Sequence, residues 1–577
     1  MAQNVVSVPG FIGGSNKADV MMDSPELSLN LFVEKSEVAE NRGYTQKRLR
    51  SVEGERSVLE FPFDNGIGCR GMFTASDGSI FACFDNKVYR ITRKSNGVLG
   101  RDEVGTLTKT SLSPIIGRPT QVVFAETGGI DSNVVWVDGT ANFYAYSLVR
   151  GTMRSFSTPL RVYRKVDGIA IDDETHAEPT HVVCVAGSIC INDGANDTWY
   201  YTDPYVLGSD SSKRTIYELD ADNNVVYKDG SRVEVKTKVV DIAEQSVNGV
   251  SYLWLDRYSV PKCQTAEYVA DKITALVLSN DRIFAFGEKS LQLYSLTTTS
   301  DAYGNSYSVF SSTGNNTRDN GAEIGASVAT LGSSVFWLGS SNVGEHSVWM
   351  SNGSAPTRIS SNNVEREIRS FGNIADAYGF AYAYNGHQFY CLTIPSAKKT
   401  YCFDVSTGEW FNRSTRDFKK GVDECWFPSF AVSAYGDIYL GSYNTQHLVM
   451  VDAEKTTDYK DEPIIKQRTS PVFIKDFEPF RLDAFFLEWG TGVTDSNVEN
   501  PVVMLQCSDD GGNTWSDEAW ANGGRIGQYW WRSEWRRCFP CGQYSLPRLY
   551  SVRVTISDNV KVVMTSAKIQ YTQTKRR

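Results

Sequence analysis

The segment Thr274 to Thr297 reads TALVLSNDRIFAFGEKSLQLYSLT. An apolar run, ALVL, ends at the turn residues Ser279, Asn280 and Asp281. A second run, IFAF, ends at Gly287, and a third, LQLYSL, follows from Leu291. Short runs rich in Ile, Val, Phe and Tyr, bounded by Gly, Asn and Asp, predict antiparallel strands joined by tight turns.

The same grammar recurs along the chain. Units begin near Met72 (MFTASDGSIFACFDNKVYRIT), Gln121 (QVVFAETGG, then VVWVDGTANFYAYSL) and Thr180 (THVVCVAGSICIN, then DTWYYTD). Others begin near Val328 (VATLGSSVFWLGSS, then HSVWMSNG), Gly379 (GFAYAYNGHQFYCLTIP, then KTYCFDVSTGEWFNR) and Phe430 (FAVSAYGDIYLGSYNTQHLVMVD). Most starts lie roughly 50 residues apart, with about four strands per unit, which predicts an all-β fold built on a β-propeller. One small sheet cannot bury both its faces, whereas blades stacked around an axis bury them against each other. Six or seven blades fit, over residues 61–470. A single short helix is predicted, at Asn363–Phe371 (NVEREIRSF).

The gap from Thr180 to Thr274 exceeds the period by roughly 40 residues, so an insertion is expected at about 203–268. It is polar and alternating, SDSSKRTIYELDADNNVVYKDGSRVEVKTKV, like extra hairpins standing off a blade. Asp220, Asp222 and Asn224 are spaced as in a calcium loop, but the glycine an EF-hand needs is replaced by Val225, so they read as a solvated tip. Residues 1–60 do not fit the repeat and read as an extended N-terminal arm that packs on a neighbour or threads back. From Pro471 the strands lengthen (FRLDAFFLEWGTGV, NPVVMLQCSDDGGNTW, RLYSVRVTISD, VVMTSAKIQYT), so 471–577 reads as a C-terminal antiparallel β-sandwich.

Hydrophobic content of 41% and charged content of 22% are ordinary for a globular chain. The net charge of -10 argues against a general nucleic-acid binder, which carries a basic face. An acidic surface can still line a channel through which DNA slides. No apolar stretch approaches the ~20 residues of a membrane span, so no membrane insertion is expected. Met1–Gly14 lacks the pattern of a secretory leader, which suggests assembly in a cytoplasm. Cys83, Cys184, Cys391 and Cys402 sit inside apolar runs and read as buried free thiols. Cys538 and Cys541 form one CxxC without a second ligand pair, so a turn is preferred to a zinc site. Neither metal nor cofactor is expected.

Two motifs stand out. Ser508–Trp515, SDDGGNTW, matches the Asp box S-x-D-x-G-x-T-W through Ser508, Asp510, Gly512, Thr514 and Trp515. Its chemistry is local: the carboxylate caps a turn, Gly takes a positive φ, and Trp packs beneath. It is read as a fold element. The stretch YWWRSEWRRCF brings together Trp530, Trp531, Arg532, Trp535, Arg536 and Arg537. Such a mixture suits either stacking on a nucleic acid or sugar, or a subunit interface; the interface is preferred. The histidines (His176, His181, His346, His387, His447) accompany no nucleophile elbow. No catalytic residue is assigned, and the chain is read as non-enzymatic.

The order of phrases LSLNLFVEKSE, VYRIT, DTWYYTD, ITALVLSNDRIFAFGEKSLQLYSLT, LGSSVFWLGS, SNNVEREIRSF, KTYCFDVSTGEWFNR, LQCSDDGGNTW and VRVTISDNVKVVMTSAKIQ resembles the packaged-DNA stabilisation proteins of short-tailed bacteriophages, also called tail hub or nozzle proteins. The likeness runs from about residue 25 to 572. The sequence departs from it in a longer insertion at about 203–268 and in VEGE (Val52–Glu55), where a Pro-Gly turn would be expected. The resemblance implies a structural protein of the virion tail, assembled in the host cytoplasm as a homohexameric ring below the portal-adaptor. Such a ring closes the DNA exit channel, stabilises packaged DNA until ejection, and presents docking surfaces for a tail needle or for fibre or spike proteins. The alternative reading is a virion-associated glycan-binding or sialidase-like propeller.

Overall fold

The computed structural model describes residues 4–573, except 18–24, 37–45, 108–119, 130–131, 158–159, 167–168, 176, 301–305, 315–319, 341–345, 474–479, 491–497, 526, 528–531 and 537–548; between 202 and 270 only the strands are described. Among these residues, strands fall into seven blades of four. Blade 1 is Cys69–Thr74, Ile80–Phe84, Lys87–Arg93 and Leu99–Thr106. Blade 2 spans Val123–Glu126 to Met153–Ser157, blade 4 Ile273–Ser279 to Ser306–Ser312, and blade 5 Ala329–Leu331 to Thr357–Arg358. Blade 6 runs from Tyr378–Tyr384 to Glu409–Asp417. The first strands of all seven touch in cyclic order, and that of blade 7, Phe430–Ala434, meets that of blade 1. The propeller is therefore closed.

The second strand of each blade explains the unbroken apolar runs. Successive side chains on a strand point to opposite faces. In IFACF, Ile80, Ala82 and Phe84 enter the core shared with blade 7, while Phe81 and Cys83 enter the core shared with blade 2. In NVVWV, Val134 and Trp136 face blade 1, and Val135 and Val137 face blade 3. Both faces are buried, so both parities must be apolar.

The predicted helix is present at Asn362–Ser370, where the Ser361 side chain accepts the first-turn amide of Val364 at 3.3 Å. The insertion is placed more finely than the sequence allowed. Blade 3 consists of Val182–Val185, Ser188–Asn192 and Thr198–Tyr201, and its outer strand is Cys263–Thr265, inside the range read as insertion. The excursion thus lies between the third and fourth strands and carries three two-stranded pairings, beginning with Lys213–Tyr217 against Glu234–Val239. Asp220, Asp222 and Asn224 lie outside the described residues.

The described part of residues 1–60 threads back onto its own chain, as one of the two readings had it, but as strands of the sheets rather than as an extended arm. Gly54–Glu60 pairs with His447–Asp452 as the outer strand of blade 7, so a strand that precedes blade 1 in the chain completes the last blade and closes the ring. Leu31–Ser36, Gln46–Ser51 and Asn4–Ser7 join one sheet of the C-terminal sandwich, through Val563–Gln573, Phe480–Trp489 and Arg532–Arg536. The other sheet continues from the outer strand of blade 6 through Pro25–Leu29, Lys466–Thr469, Ser551–Ile556, Val502–Ser508 and Ala519–Asn522. Lys466–Thr469, left with the propeller by the sequence boundary, belongs to this sheet. Leu31, Leu49, Phe485, Leu487, Val503, Leu505 and Val554 fill the core between the two. Propeller and sandwich are welded by strands contributed from both ends of the chain.

Candidate functional site

The features that could carry function begin at the weld. Arg468 is wholly buried, and its guanidinium is spent on the N-terminal loop. Nε donates to the Phe11 carbonyl at 2.6 Å, Nη1 to Gly14 O at 2.6 Å and Ser28 Oγ at 2.9 Å, and Nη2 to Gly10 O at 2.7 Å and to the Glu26 carboxylate. Burial pushes the Glu26 carboxyl up, against the pull of Arg468. The planar five-donor fork is what allows one side chain to gather that many carbonyls.

A second buried cluster lies where the ring closes. Glu55 comes from the N-terminal closing strand, Arg413 from the outer strand of blade 6, and Trp426 from the link between blades 6 and 7. The indole N–H of Trp426 donates to Glu55 Oε1 at 2.7 Å, and Arg413 lies over the indole, 3.3 Å from a ring centroid. Arg413 Nη2 stands 3.4 Å from Glu55 Oε1, and Nη1 donates to the Tyr382 hydroxyl at 3.2 Å. Burial pushes the Glu55 carboxyl up to about 7, against the opposing pull of Arg413 and Trp426. Sequence reading missed both clusters. The available signal is faint: charged residues inside otherwise strand-like runs.

Between blades the backbones approach closely. A Cβ added at Gly71 would stand 1.9 Å from the Val122 carbonyl oxygen. Beside it, Arg70 clips blade 1 to the segment leading into blade 2, with Nε to Thr120 O at 2.9 Å and Nη2 to Thr120 Oγ1 at 2.7 Å.

The Asp box folds as a turn. Gly512 N donates to Ser508 Oγ at 2.8 Å, Thr514 N to Asp510 Oδ1 at 2.9 Å, Thr514 Oγ1 to Asp510 Oδ2 at 2.6 Å, and the Trp515 indole to Gly512 O at 3.0 Å. Gly512 has φ +93°, which an L side chain rarely adopts. Burial works against ionisation, yet the hydrogen bonds from Thr514 and Ser508 hold Asp510 down at about 2. Arg553 lies 3.8 Å over the Trp515 ring. All five motif residues are thus engaged in the turn itself or in packing beside it.

The Trp/Arg stretch divides by strand parity. Trp535 points into the sandwich core, 1% exposed, with its indole donating to Ala519 O at 2.8 Å. It is a core residue rather than a binding or interface residue, because alternation sets it on the opposite face from Arg532 and Arg536. Those two flank Glu534 and lie 5.1 and 5.7 Å over the Phe486 ring. Trp530, Trp531, Arg537, Cys538, Cys541 and His176 lie outside the described residues.

The described histidines are dispersed. His181 is half-buried just before the first strand of blade 3, and desolvation holds it down at about 4. His387 Nδ1 is 2.7 Å from Asp404, and His447 Nδ1 is 2.9 Å from Ser57 Oγ. Among the described residues no group of three or more His, Cys, Asp or Glu is arranged to hold a metal ion, and no helix is long and apolar enough to cross a membrane.

No curated protein sequence matches the chain. Among solved structures, the WD40 repeats of RRP9 align at 8% identity over 70% of this chain and 99% of that one, with a TM-score of 0.34. Virginiamycin B lyase from Staphylococcus aureus aligns at 10% identity over 69% and 97%, with a TM-score of 0.31. A mutant sialidase of Trypanosoma rangeli with trans-sialidase activity aligns at 8% identity over 94% and 96%, with a TM-score of 0.26. Family models give a far more specific result. One described as bacteriophage P22 Gp10, beta-propeller, matches residues 30–456, and another, bacteriophage P22 Gp10, beta-sandwich, matches residues 467–572. With both halves matched over nearly the whole chain, this protein belongs to the bacteriophage P22 Gp10 family of phage DNA-stabilisation proteins.

Proposed function

We propose that this chain is the hub of a short phage tail. Copies assemble below the portal-adaptor as the homohexameric ring that the family resemblance implies, a head-to-tail contact closing on itself. The ring closes the DNA exit channel, holds the packaged DNA until ejection, and offers docking surfaces to a needle or to fibres. Its place is the virion tail, reached by assembly in the host cytoplasm. Its role is mechanical rather than catalytic.

The observation that carries this reading is the family match over both the propeller and the sandwich. The welded architecture supports it. A plug under pressure needs a body that does not open, and here both chain ends are woven into the sandwich while the N-terminal segment closes the propeller. The Asp box gives no support to a sialidase, because its side chains are engaged in a turn of the sandwich.

Light scattering on the purified chain, alone and with its adaptor ring, tests the proposal. Formation of a ring of about six on the adaptor is expected. A chain that stays monomeric and ignores the adaptor overturns it, and glycan turnover by that monomer would replace it with the enzymatic alternative.

A further inference from the structure

Large apolar side chains are rarely left in water without a reason when they share a surface element. Among the described residues, Trp520 is 68% exposed, Val5 54% and Val6 40%. All three belong to the sandwich. Val98, Val149, Phe418 and Val422, the other exposed large apolar residues described, belong to hairpins of the propeller.

Trp520 is on Ala519–Asn522, the last strand of its sheet. Ala519 and Ala521 pack on the core, so alternation turns Trp520 outward. Directly opposite it is Met504, whose neighbours Val503 and Leu505 face the core, so Met504 joins Trp520 on the outer face. Asp517 and Glu518, both exposed, precede the strand. Tryptophan and methionine are enriched where protein surfaces meet.

Val5 and Val6 are on Asn4–Ser7, which pairs with Val563–Gln573. Adjacent residues of a strand point to opposite faces, so exposure of both valines means that neither face is covered. The strand carries no charge, lacking the usual protection of an edge. Lys35 and Lys47, in the hairpin on this same side of Val563–Gln573, are already engaged, Lys47 with Glu409 at 3.0 Å and Lys35 with the Thr407 carbonyl at 3.4 Å, so this edge offers backbone and apolar side chains rather than free charge.

The two patches lie on opposite sides of the sandwich. Ala519–Asn522 abuts Arg532–Arg536, the far strand of the other sheet, whereas Asn4–Ser7 lies beyond Val563–Gln573 in the opposite direction. Different patches on opposite sides make a heterologous contact, the kind that closes into rings. We infer that the subunit interface is formed by the Trp520–Met504 face of one copy receiving the Asn4–Ser7 strand of the next. This deepens the ring assignment and rests on it.

The test uses full-length V5C and W520C chains, singly and mixed, with a short bismaleimide and the wild-type chain as background, at concentrations where light scattering shows assembly. Cross-linked dimers several-fold above background are expected in the mixture alone. W520E should weaken assembly by about tenfold or more, with an unchanged melting curve. Rings that form without the mixed cross-link, or that W520E leaves intact, overturn this interface and leave the ring assignment standing. Cross-links in a single-variant sample point to a two-fold contact and likewise overturn it. A chain that never assembles, with or without the adaptor, removes both.

Discussion

Glu55 and Arg413 are 358 positions apart in the chain, and their side chains meet 3.4 Å apart inside it. One arrives on the strand that closes the propeller, the other on the blade before the closing one. Removing a single partner strands the other charge in the interior. E55A is therefore expected to lower stability by about 3–5 kcal/mol, whereas an apolar replacement of both residues recovers much of the loss. Denaturant unfolding of the two single variants and the double variant measures this; an E55A loss well under about 1 kcal/mol would show that Arg413 is compensated by other groups.

The same carboxyl sets a pH dependence. Its folded pKa, about 7, lies above the ordinary 4.5, so the fold favours the protonated form. Stabilisation from that preference is complete below 4.5 and is lost as pH rises through 7. Relative to E55Q, which cannot ionise, the wild-type melting temperature should fall between pH 5 and pH 8. Parallel melting profiles for the two proteins across that range would refute the expectation.

How much of this was legible follows from where each partner lies. The blades could be read because at least three of each blade's strands are consecutive, with turns such as Ser279–Asp281 between them. The closing strand, GERSVLE, could not, because its partner His447–Asp452 lies two thirds of the chain away, Ser57 and His447 being 390 positions apart, and nothing local marks it as blade 7. Cys263–Thr265 is three residues long, too short to announce itself behind the insertion. The Asp box was legible because all its hydrogen bonds are local. The Trp/Arg stretch misled because it was read as a cluster; period-two alternation alone separates Trp535 from Arg532 and Arg536. Buried Arg413 and Arg468 left only a faint signal, a charge inside a strand-like run, since an arginine in a strand usually faces water.

Trp535 and Trp520 should behave as opposites. W535A empties a core site and removes an indole bond to Ala519 O, so a loss of about 3–5 kcal/mol is expected. W520A removes an exposed side chain and should change monomer stability by less than about 0.5 kcal/mol. Unfolding midpoints of the two variants, measured side by side, decide it; comparable losses would mean that the sandwich face is packed differently.

Arg468 acts as a hub of hydrogen bonds rather than as a point charge. Lysine keeps the charge but offers no planar fork, so R468K should leave carbonyls of Gly10, Phe11 or Gly14 unsatisfied, at about 1–3 kcal/mol for each left without a partner. The loop at 10–15 should then become sensitive to protease while the propeller resists. A lysine variant with wild-type stability and an uncut loop would show that these carbonyls find other donors.

Asp510 gives the opposite pH sign to Glu55. Its pKa is held at about 2, below the ordinary 3.8, by donors from Thr514 and Ser508 that prefer the ionised carboxylate. The stabilisation is present above 3.8 and is lost as pH falls through 2. D510N keeps the size of the side chain but not the charge, and cannot accept from Thr514 N and Thr514 Oγ1 through two carboxylate oxygens. It should be less stable than wild type at pH 7, by about 1–3 kcal/mol, with the difference shrinking towards pH 2. The turn seats on Pro25, where a Cβ at Gly512 would come within 2.5 Å of the Pro25 Cβ, so its loosening should be felt at the first strand joining sandwich to propeller. Hydrogen exchange at Leu27–Leu29 reports that coupling. Faster exchange there in D510N is expected, and unchanged exchange would confine the Asp box to its own loop.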